Sequence, residues 1–343
     1  MSPELFYDLI HIPKYQSVYC RYLIYEQVFR MAHLAYPSLV QKPLFCLCDD
    51  PGLYNRHNQS FPSKHRILRA LDRMSFVLPV RKGGLGNQMF QVAAAIVYAK
   101  ETQRRILLPD EFYNSHNVSN VDYGESIFRE FIHRIKKPLD GHAIAMLLQS
   151  DFVQHPGEPG FEDWNPVDLS GNVLLHGYFQ NYPPIQRHEV LIRNTFLNGL
   201  ANYRVQIRDS KSRVGIHIRR GDYLKAPYSD VLPVQTMDYY ERALQHFLLD
   251  STEFSIFSDD IAWCKQQRLF QDLPKKVFVE ETNEIKSLAM MSTCLGGMIC
   301  ANSTFSWWGA FLGAYKERSV VIVPKNWFKG GVGHLFPSEW IVL

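Results

Sequence analysis

The sequence predicts an α/β protein with two units, each a parallel sheet wrapped in helices, that meet at a cleft. From residue 75 onward, short apolar strands alternate with helices, the order typical of parallel sheets. At 343 residues the chain is too long for one ordinary core and suits two domains. The predicted strands are Phe76–Val80, Val214–Arg219, Phe254–Phe257, Lys276–Val279, Gly297–Ala301 and Ser319–Val323. The predicted helices are a run with Met89 and Val97 at helical spacing, then Tyr239–Leu249, Glu284–Thr293 and Thr304–Tyr315.

Residues 1–75 differ from the rest of the chain, because they are rich in Tyr and His and carry no chemical motif. We treat them as an N-terminal extension of unknown role, in which a helix is predicted near Tyr19–Ala35. The two predicted domains are 76–205 and 206–325. The polar stretch Asn194–Ser212 is the predicted linker region, and residues 326–343 form a C-terminal tail.

Composition and charge exclude several classes of protein. Hydrophobic residues make up 46% and charged residues 21%, which excludes a disordered chain. The net charge of +3 provides no general basic field for nucleic acid or membranes. The six cysteines lack metal-ligand spacing, so they are predicted to be reduced core thiols and no metal site is predicted. Because no segment reaches the length of a spanning helix and no signal peptide is recognisable, a cytoplasmic protein is predicted. Contact with the membrane surface and the oligomeric state stay open.

A glycine turn, Gly83-Gly84-Leu85-Gly86-Asn87-Gln88, lies between the first predicted strand and its helix. Glycine permits close backbone approach, and a helix N-terminus offers unpaired N–H groups to an anion. The run is not the dinucleotide fingerprint, because Met89 stands at the position of the third glycine. Gly84 and Gly86 are therefore candidate ligand-binding residues, and a purely structural turn is the alternative.

The run His217-Ile218-Arg219-Arg220-Gly221-Asp222-Tyr223 follows at the end of a predicted strand. Strand alternation places His217 and Arg219 on one face, directed toward the crevice where open α/β sheets bind ligands. A guanidinium there can hold two phosphate oxygens. Asp222 is expected to fix an arginine or the turn. A surface salt-bridge cluster is the alternative interpretation of the run.

Ser258-Asp259-Asp260 directly follows the strand Phe254–Phe257. Carboxylates at a strand end suit hydrogen bonds to a base or ribose in a nucleotide site. A metal-binding pair is a competing interpretation, although the acids are adjacent rather than spaced. A helix N-cap formed by Asp259 or Asp260 is another.

The run from Ala301 to Ala310 also joins a strand to a helix. Asn302 or Ser303 can cap that helix, while Ser303, Thr304 and the free N–H groups present donors to a phosphate. Phe305, Trp308 and Phe311 share one helical face and are predicted to lie in the core. Trp307 lies off that stripe.

Together these four runs resemble the signature blocks of glycosyltransferase family 11, the α-1,2-fucosyltransferases, in the family's order and at similar spacing. The blocks His-x-Arg-Arg-Gly-Asp-Tyr and Asn-Ser-Thr-Phe-Ser-Trp-Trp-Gly-Ala are individually specific. Gly177–Gln180, Val323–Phe328 and Pro337–Trp340 are similar to further blocks of the family. The resemblance covers residues 76 to 343.

The resemblance implies a GT-B fold, in which two Rossmann-like domains face each other across a cleft. It implies GDP-β-L-fucose as donor, inversion at the anomeric carbon, no metal or other cofactor, and a galactose-containing glycan as acceptor. Residues 76–205 would lie on the acceptor side and 206–325 would bind GDP-fucose. The implied donor-site residues are Gly84, Gly86, Arg219 on the diphosphate, Asp222, Asp259, Asp260, Asn302, Ser303 and Thr304, with Arg219, His217 and Asn87 as catalytic candidates.

Two alternatives to this function stay open at the level of sequence. One is a GDP-sugar sensor or lectin-like module on the same scaffold, and the other is a fucosyltransferase of α-1,6 or protein O-linked specificity. The general base is not identified by the sequence, and His217 is expected rather to orient Arg219 or the sugar. Cys294-Leu295-Gly296 departs from the Cys-Lys-His usual in the family, which puts acceptor contacts in doubt more than donor chemistry.

Overall fold

A computed structural model provides the structure of this protein. It describes residues 76–79, 81–108, 123–124, 126–129, 131, 152–157 (backbone only), 172–204, 210–313, 319–328 and 333–343. The extension 1–75, including the predicted helix Tyr19–Ala35, lies outside the described residues.

The first sheet is parallel and has the strand order β2-β1-β4-β3. Its strands are β1 (Phe76–Pro79), β2 (Arg105–Ile106), β3 (Phe152–Gly157) and β4 (Asn172–Gly177). Strand β1 is buried along its whole length, as expected for a parallel strand covered on both faces. The helices of this half are α1 (Leu85–Glu101), α2 (Tyr182–Gln186), α3 (Glu189–Gly199) and α4 (Ala201–Arg204).

The second sheet is also parallel, with the strand order β10-β9-β8-β5-β6-β7. The strands are β5 (Arg213–Ile218), β6 (Glu253–Ser258), β7 (Lys276–Phe278), β8 (Gly297–Ile299), β9 (Val320–Val323) and β10 (Ile341–Val342). Its helices are α5 (Tyr228–Val231), α6 (Met237–Leu244), α7 (Ile261–Gln266), α8 (Arg268–Gln271), α9 (Glu284–Met291) and α10 (Thr304–Gly313). Two parallel sheets with helices confirm the predicted α/β class.

Strand order in the second sheet brings three of the sequence motifs together. Strand β5 pairs with β6 on one side and with β8 on the other. The arginine run, the Ser-Asp-Asp run and the Asn-Ser-Thr run follow the carboxyl ends of β5, β6 and β8 respectively. Because parallel strands end at the same edge of a sheet, these three runs meet there.

The two halves share one hydrophobic core. Phe90 on α1 packs against Trp307 and Trp308 on α10, with ring centroids 4.7 and 5.0 Å apart. Phe196 on α3 makes an edge contact with Trp308 at 5.0 Å. Trp307, predicted to lie off the buried stripe, is fully buried, because α10 is covered by both halves of the molecule rather than by one.

Two boundaries differ from the sequence-based expectations. Residues 194–199 and 201–204 of the predicted linker Asn194–Ser212 are helical, because they belong to α3 and α4. Residues 326–343, set apart as a tail, end in β10, which pairs in parallel with β9. The apolar pair Ile341–Val342 was too short to be recognised as a strand from its pattern. The division into domains otherwise stays a prediction.

Candidate active site

A cavity of about 960 Å³ lies between the two halves of the molecule. The glycine turn between β1 and α1 forms one wall, and the ends of β5, β6 and β8 form the other. Nine of the eleven residues proposed from the sequence as site residues line this cavity, namely Gly84, Gly86, Asn87, His217, Arg219, Asp222, Asp259, Ser303 and Thr304. Asp260 and Asn302 are not part of its walls. The sequence motifs therefore converge on one place.

Arg219 reaches the cavity from the end of β5 and is held between two carboxylates. Its Nη2 atom lies 2.7 Å from Asp222 Oδ1, and its Nη1 atom lies 3.1 Å from Asp259 Oδ2. The guanidinium also lies 5.5 Å from the ring centroid of Tyr223. Two anions and an aromatic ring therefore fix the orientation of a cation that still faces the cavity. A guanidinium so placed can hold phosphate oxygens with its planar set of N–H donors.

Asp259 is itself positioned by the backbone that follows Arg219. Its Oδ1 atom accepts a hydrogen bond from the backbone N–H of Arg220 at 2.9 Å. A Cβ atom on Gly221 would lie 2.5 Å from Asp259 Oδ2, so a side chain there would displace this carboxylate from its present position. Gly221 and Asp222 thus both help to position Arg219. Gly221 leaves space for Asp259, and Asp222 pairs directly with the guanidinium.

His217 lines the cavity and is 5% exposed. Burial, and then the positive charge of Arg219, lower the pKa of His217 to about 3, so the ring is neutral at pH 7. Its Nδ1 atom has no hydrogen-bond partner among the described residues. A neutral imidazole with so low a pKa is a weak base, which favours a hydrogen-bonding role over proton abstraction.

Asn87 joins the two halves at the cavity. Its Oδ1 atom accepts hydrogen bonds from Thr304 Oγ1 at 2.8 Å and from Gln180 Nε2 at 3.0 Å. Gln180 follows β4 of the first sheet, whereas Thr304 begins α10 of the second half. Because the oxygen is committed to these two donors, a ligand would meet the amide N–H group of Asn87.

The two glycines of the turn have different surroundings. A Cβ atom on Gly84 would meet nothing within 4 Å, so this residue borders open space. A Cβ atom on Gly86 would lie 2.5 Å from Phe305 N and from Thr304 C. The carbonyl oxygen of Gly86 also accepts a hydrogen bond from Trp308 Nε1 at 3.0 Å. Gly86 therefore allows the starts of α1 and α10 to touch, a packing role that the sequence did not indicate.

Both of these helix starts open on the cavity. Leu85 is the first residue of α1 and Thr304 is the first of α10, and both line the cavity. Ser303 Oγ accepts a hydrogen bond from the Phe305 N–H at 3.3 Å, so this side chain caps α10. Helix N-termini carry partial positive charge and unpaired N–H groups, which favour an anion between them.

Asp260 and Asn302 make structural contacts outside the cavity wall. Asp260 caps α7 by accepting from Trp263 N at 3.1 Å, and it pairs with Arg220 Nε at 3.2 Å. Asp260 is thus a helix N-cap, which is one of the alternatives that the sequence left open for Asp259 and Asp260. Asn302 Nδ2 donates to the carbonyl oxygens of Pro233 at 2.9 Å and Trp327 at 3.1 Å. Donor-binding roles for these two residues stay predictions.

Further residues of the cavity were not assigned from the sequence. Tyr178 and Lys82 line it from the first-sheet half, and Glu281 and Glu284 line it from the loop and helix after β7. Glu281 and Glu284 follow strand β7 just as Asp259 follows strand β6. The rule that ligand-binding carboxylates lie after the carboxyl ends of parallel strands would therefore have identified them. Tyr178 stood in a recognised block, yet nothing in the sequence gave it a chemical role.

No group of three or more His, Cys, Asp or Glu side chains among the described residues could hold a metal ion. None of the helices in the described part of the chain is both long and apolar enough to cross a membrane.

The fold is thus an α/β arrangement of two parallel sheets, with an arginine and two helix N-termini at the cleft between them, and these groups favour an anion. Comparison with known families identifies the family of the chain. The model of glycosyl transferase family 11 matches residues 55–342, and the chain belongs to this family. The protein is therefore a glycosyltransferase, as the sequence blocks predicted.

Its relatives come from bacteria and mammals. It is 29% identical to the O-antigen biosynthesis glycosyltransferase WbnK of Escherichia coli, over 76% of this chain and 98% of the relative. It is 26% identical to an alpha-1,2-colitosyltransferase of Escherichia coli, over 78% and 99% of the two chains. It is 25% identical to the galactoside 2-alpha-L-fucosyltransferase SEC1 of Bos taurus, over 76% and 69%. Among solved structures, the fucosyltransferase NodZ from Bradyrhizobium has a TM-score of 0.44 at 13% identity, over 69% of this chain and 93% of that one.

Proposed function

We propose that this glycosyltransferase transfers L-fucose from GDP-β-L-fucose to the 2-hydroxyl of a terminal galactose on a glycan, with inversion at the anomeric carbon. The observation that carries the proposal is the placement of Arg219 in the cleft, between Asp222 and Asp259 and beside the α1 and α10 N-termini. These groups suit a nucleoside diphosphate, the leaving group of such a donor.

The names of the relatives support the linkage. The colitosyltransferase and the mammalian galactoside fucosyltransferases all carry α-1,2 specificity in their names, although the sugar that they transfer differs. The bovine and murine relatives are named as acting on galactosides. Fucose as the transferred sugar is supported by the family blocks recognised in the sequence, and colitose is the second candidate because of the 26% identical relative.

The reaction follows from the charges at the cleft. The acceptor hydroxyl attacks the anomeric carbon from the face opposite the diphosphate, and the bond to the diphosphate oxygen breaks. The proton of the attacking hydroxyl leaves to water or to a carboxylate of the cavity wall. Negative charge then grows on the leaving diphosphate, where Arg219 and the N–H groups at the start of α10 can stabilise it. Neutral His217 would hydrogen-bond the donor from the cavity wall, and no metal is needed in this scheme.

The two halves of the molecule are assigned to different substrates. The second half carries Arg219, Asp259 and Ser303, so we assign donor binding to residues 206–325. The first half adds the start of α1 beside the diphosphate and contributes Tyr178 to the cavity, so we assign the acceptor side to residues 76–205.

An acceptor array tests the proposal. Purified protein is incubated with GDP-fucose and a panel of glycans, and the linkage of any product is determined by NMR. We expect an α-1,2-fucosylated galactoside. An α-1,6 or protein-linked product would contradict the proposed linkage, and GDP binding without transfer to any acceptor would indicate a binding module. A parallel array with GDP-colitose decides the donor sugar, since faster transfer of colitose would replace fucose in the proposal.

A further inference from the structure

The block Gly177-Tyr178-Phe179-Gln180 follows β4 and borders the cavity, but it has no part in the donor chemistry above. Tyr178 lines the cavity from the first-sheet half, whereas Arg219, His217 and Ser303 belong to the second half. A side chain on this wall can reach a substrate that enters beside the donor.

The residues on both sides of Tyr178 have positive φ, and at Phe179 this conformation is strained. Gly177 has φ of 154° and Phe179 has φ of 52°. A bulky residue with positive φ is a steric outlier, and such strain tends to persist at ligand sites that the surrounding packing over-determines. Phe179 is fully buried and its carbonyl accepts a hydrogen bond from Asn181 N at 2.9 Å. Phe179 therefore anchors the loop in the core, while Tyr178 lies at the cavity.

Lys82 stands beside Tyr178 on the same wall. Its Nζ atom lies 4.5 Å from the centroid of the Tyr178 ring, a cation–π distance. The backbone of Lys82 is held at both ends by the buried side chain of Gln91, through its N–H at 2.8 Å and its carbonyl oxygen at 3.2 Å. The Lys82 ammonium and the Tyr178 ring therefore lie side by side on this wall of the cavity.

The other groups on this wall are less suited to recognise a sugar. Of the described residues on the first-sheet half, three with polar side chains line the cavity, namely Lys82, Asn87 and Tyr178. The oxygen of Asn87 is occupied by Thr304 and Gln180. Lys82 and Tyr178 therefore offer the principal combination of apolar surface and hydrogen-bond donors.

We propose that Tyr178 and Lys82 form the platform that binds the acceptor galactose, a step that rests on the function proposed above. The axial 4-hydroxyl of galactose leaves an apolar patch of C–H groups on one face of the sugar, and an aromatic ring can cover such a patch. The Lys82 ammonium donates hydrogen bonds to acceptor hydroxyls. This pair positions the acceptor and takes no part in breaking the donor bond.

The test measures acceptor and donor binding separately, on the full chain. Variants Tyr178→Ala, Tyr178→Phe and Lys82→Met are compared with Lys100→Met, an exposed lysine on α1 outside the cavity wall. Acceptor KM is measured with a galactoside at saturating GDP-fucose, GDP affinity is measured by calorimetry, and binding of methyl β-D-galactoside to the GDP-loaded protein is followed by saturation-transfer NMR.

We expect Tyr178→Ala and Lys82→Met each to raise the acceptor KM about 10-fold, the scale of one aromatic or cation contact. GDP affinity should stay within about twofold of wild type, because these residues lie outside the donor contacts. Tyr178→Phe should keep most of the acceptor affinity, since the ring face remains. Lys100→Met should behave as wild type. If Tyr178→Ala fails to fold, Lys82→Met still tests the pair without altering the strained loop.

Unchanged acceptor KM in folded Tyr178→Ala and Lys82→Met would overturn the platform, as would a parallel loss of GDP affinity. Absence of methyl β-D-galactoside binding to the wild-type protein would also overturn it. If the wild-type protein binds the galactoside but transfers no sugar to it, the proposed function fails, and the NMR comparison of the variants still decides the platform.

Discussion

At the scale of single residues, Arg219 and Arg220 are neighbours in sequence with different surroundings. Arg219 faces the cavity between Asp222 and Asp259. The Arg220 guanidinium lies 3.7 Å from the ring centroid of Trp263 and pairs with Asp260. One arginine is therefore available to a ligand, whereas the other packs the start of α7 against the end of β5.

The Arg219→Ala substitution should lower kcat by at least about 100-fold, the scale of removing one group that stabilises transition-state charge. Arg219→Lys should restore little of this loss, because an ammonium cannot reproduce the planar set of donors. The measurement is steady-state kinetics with GDP-fucose and a galactoside, on protein shown by circular dichroism to be folded.

Arg220→Ala is the matched control. Because Arg220 contacts Trp263 and Asp260 rather than the cavity, its loss should lower the unfolding free energy while kcat of the folded protein changes less than in Arg219→Ala. Near-normal kcat in folded Arg219→Ala would show that the diphosphate lies elsewhere.

His217 gives a prediction about pH. Its native pKa of about 3 lies below the ordinary histidine pKa of 6.5, so between these pH values the unfolded state binds more protons than the native state. The unfolding free energy should therefore fall as pH falls below 6.5, by up to about 1.4 kcal/mol per pH unit from this group. In His217→Gln this contribution disappears. Urea denaturation at about pH 7 and about pH 5 should show a loss about 2 kcal/mol larger in wild type than in the variant. Equal acid losses in the two proteins would mean that His217 is not buried in its neutral form.

At the scale of elements, the cavity depends on how the starts of α1 and α10 meet. Gly86 touches the backbone of Thr304 and Phe305, and Trp308 Nε1 donates to the Gly86 carbonyl oxygen. Asn87 adds a hydrogen bond from Thr304 Oγ1. These contacts set the distance between two helix N-termini, and hence the space in which an anion can be held.

Gly86→Ala and Gly84→Ala form a matched pair of substitutions. The Cβ atom in Gly86→Ala would meet backbone atoms that cannot rotate away, so the unfolding free energy should fall by about 3 kcal/mol, the upper range for overpacking. In Gly84→Ala the Cβ atom enters open space, and φ of −68° suits alanine, so stability should be nearly unchanged. Because Gly84 borders the cavity, its variant should instead raise the KM for GDP-fucose. Chemical denaturation and donor kinetics measure the two effects, and equal stability of the two variants would contradict the packing role of Gly86.

At the scale of the whole molecule, two sheets share one core, and the aromatic residues of α10 lie at its centre. Trp307 stacks on Phe311 with centroids 5.0 Å apart, and its Nε1 atom donates to the Leu335 carbonyl oxygen at 3.0 Å. Tyr182 of the first half lies 6.3 Å from Trp307. Residues of both halves therefore belong to one hydrophobic cluster.

The positive charges on both sides of the cleft lead to a prediction about metals. Arg219 and the helix N-termini can neutralise a leaving diphosphate, so transfer should persist in excess EDTA with little change in rate. The measurement is the initial rate before and after exhaustive chelation, followed by addition of Mn²⁺ or Mg²⁺. Loss of activity that either ion restores would contradict a metal-independent mechanism.

The sequence by itself determined the class of fold and most of the wall of the site. Alternating apolar strands and helices specified parallel sheets, and motifs at the ends of β5, β6 and β8 had to meet at one edge because parallel strands end together. The shared face of His217 and Arg219 followed from strand alternation alone. These properties depend on near neighbours in the chain, which periodic patterns encode.

Only the tertiary structure decided how the two halves fit together. Asn87 and Thr304 are 217 positions apart, and their hydrogen bond depends on the packing of one sheet against the other. The same packing buries Trp307, gives Gly86 its close contact with α10, and brings Tyr178 to the cavity. Periodicity and capping signals act within a single element, so they carry no information about contacts between elements that are distant in sequence.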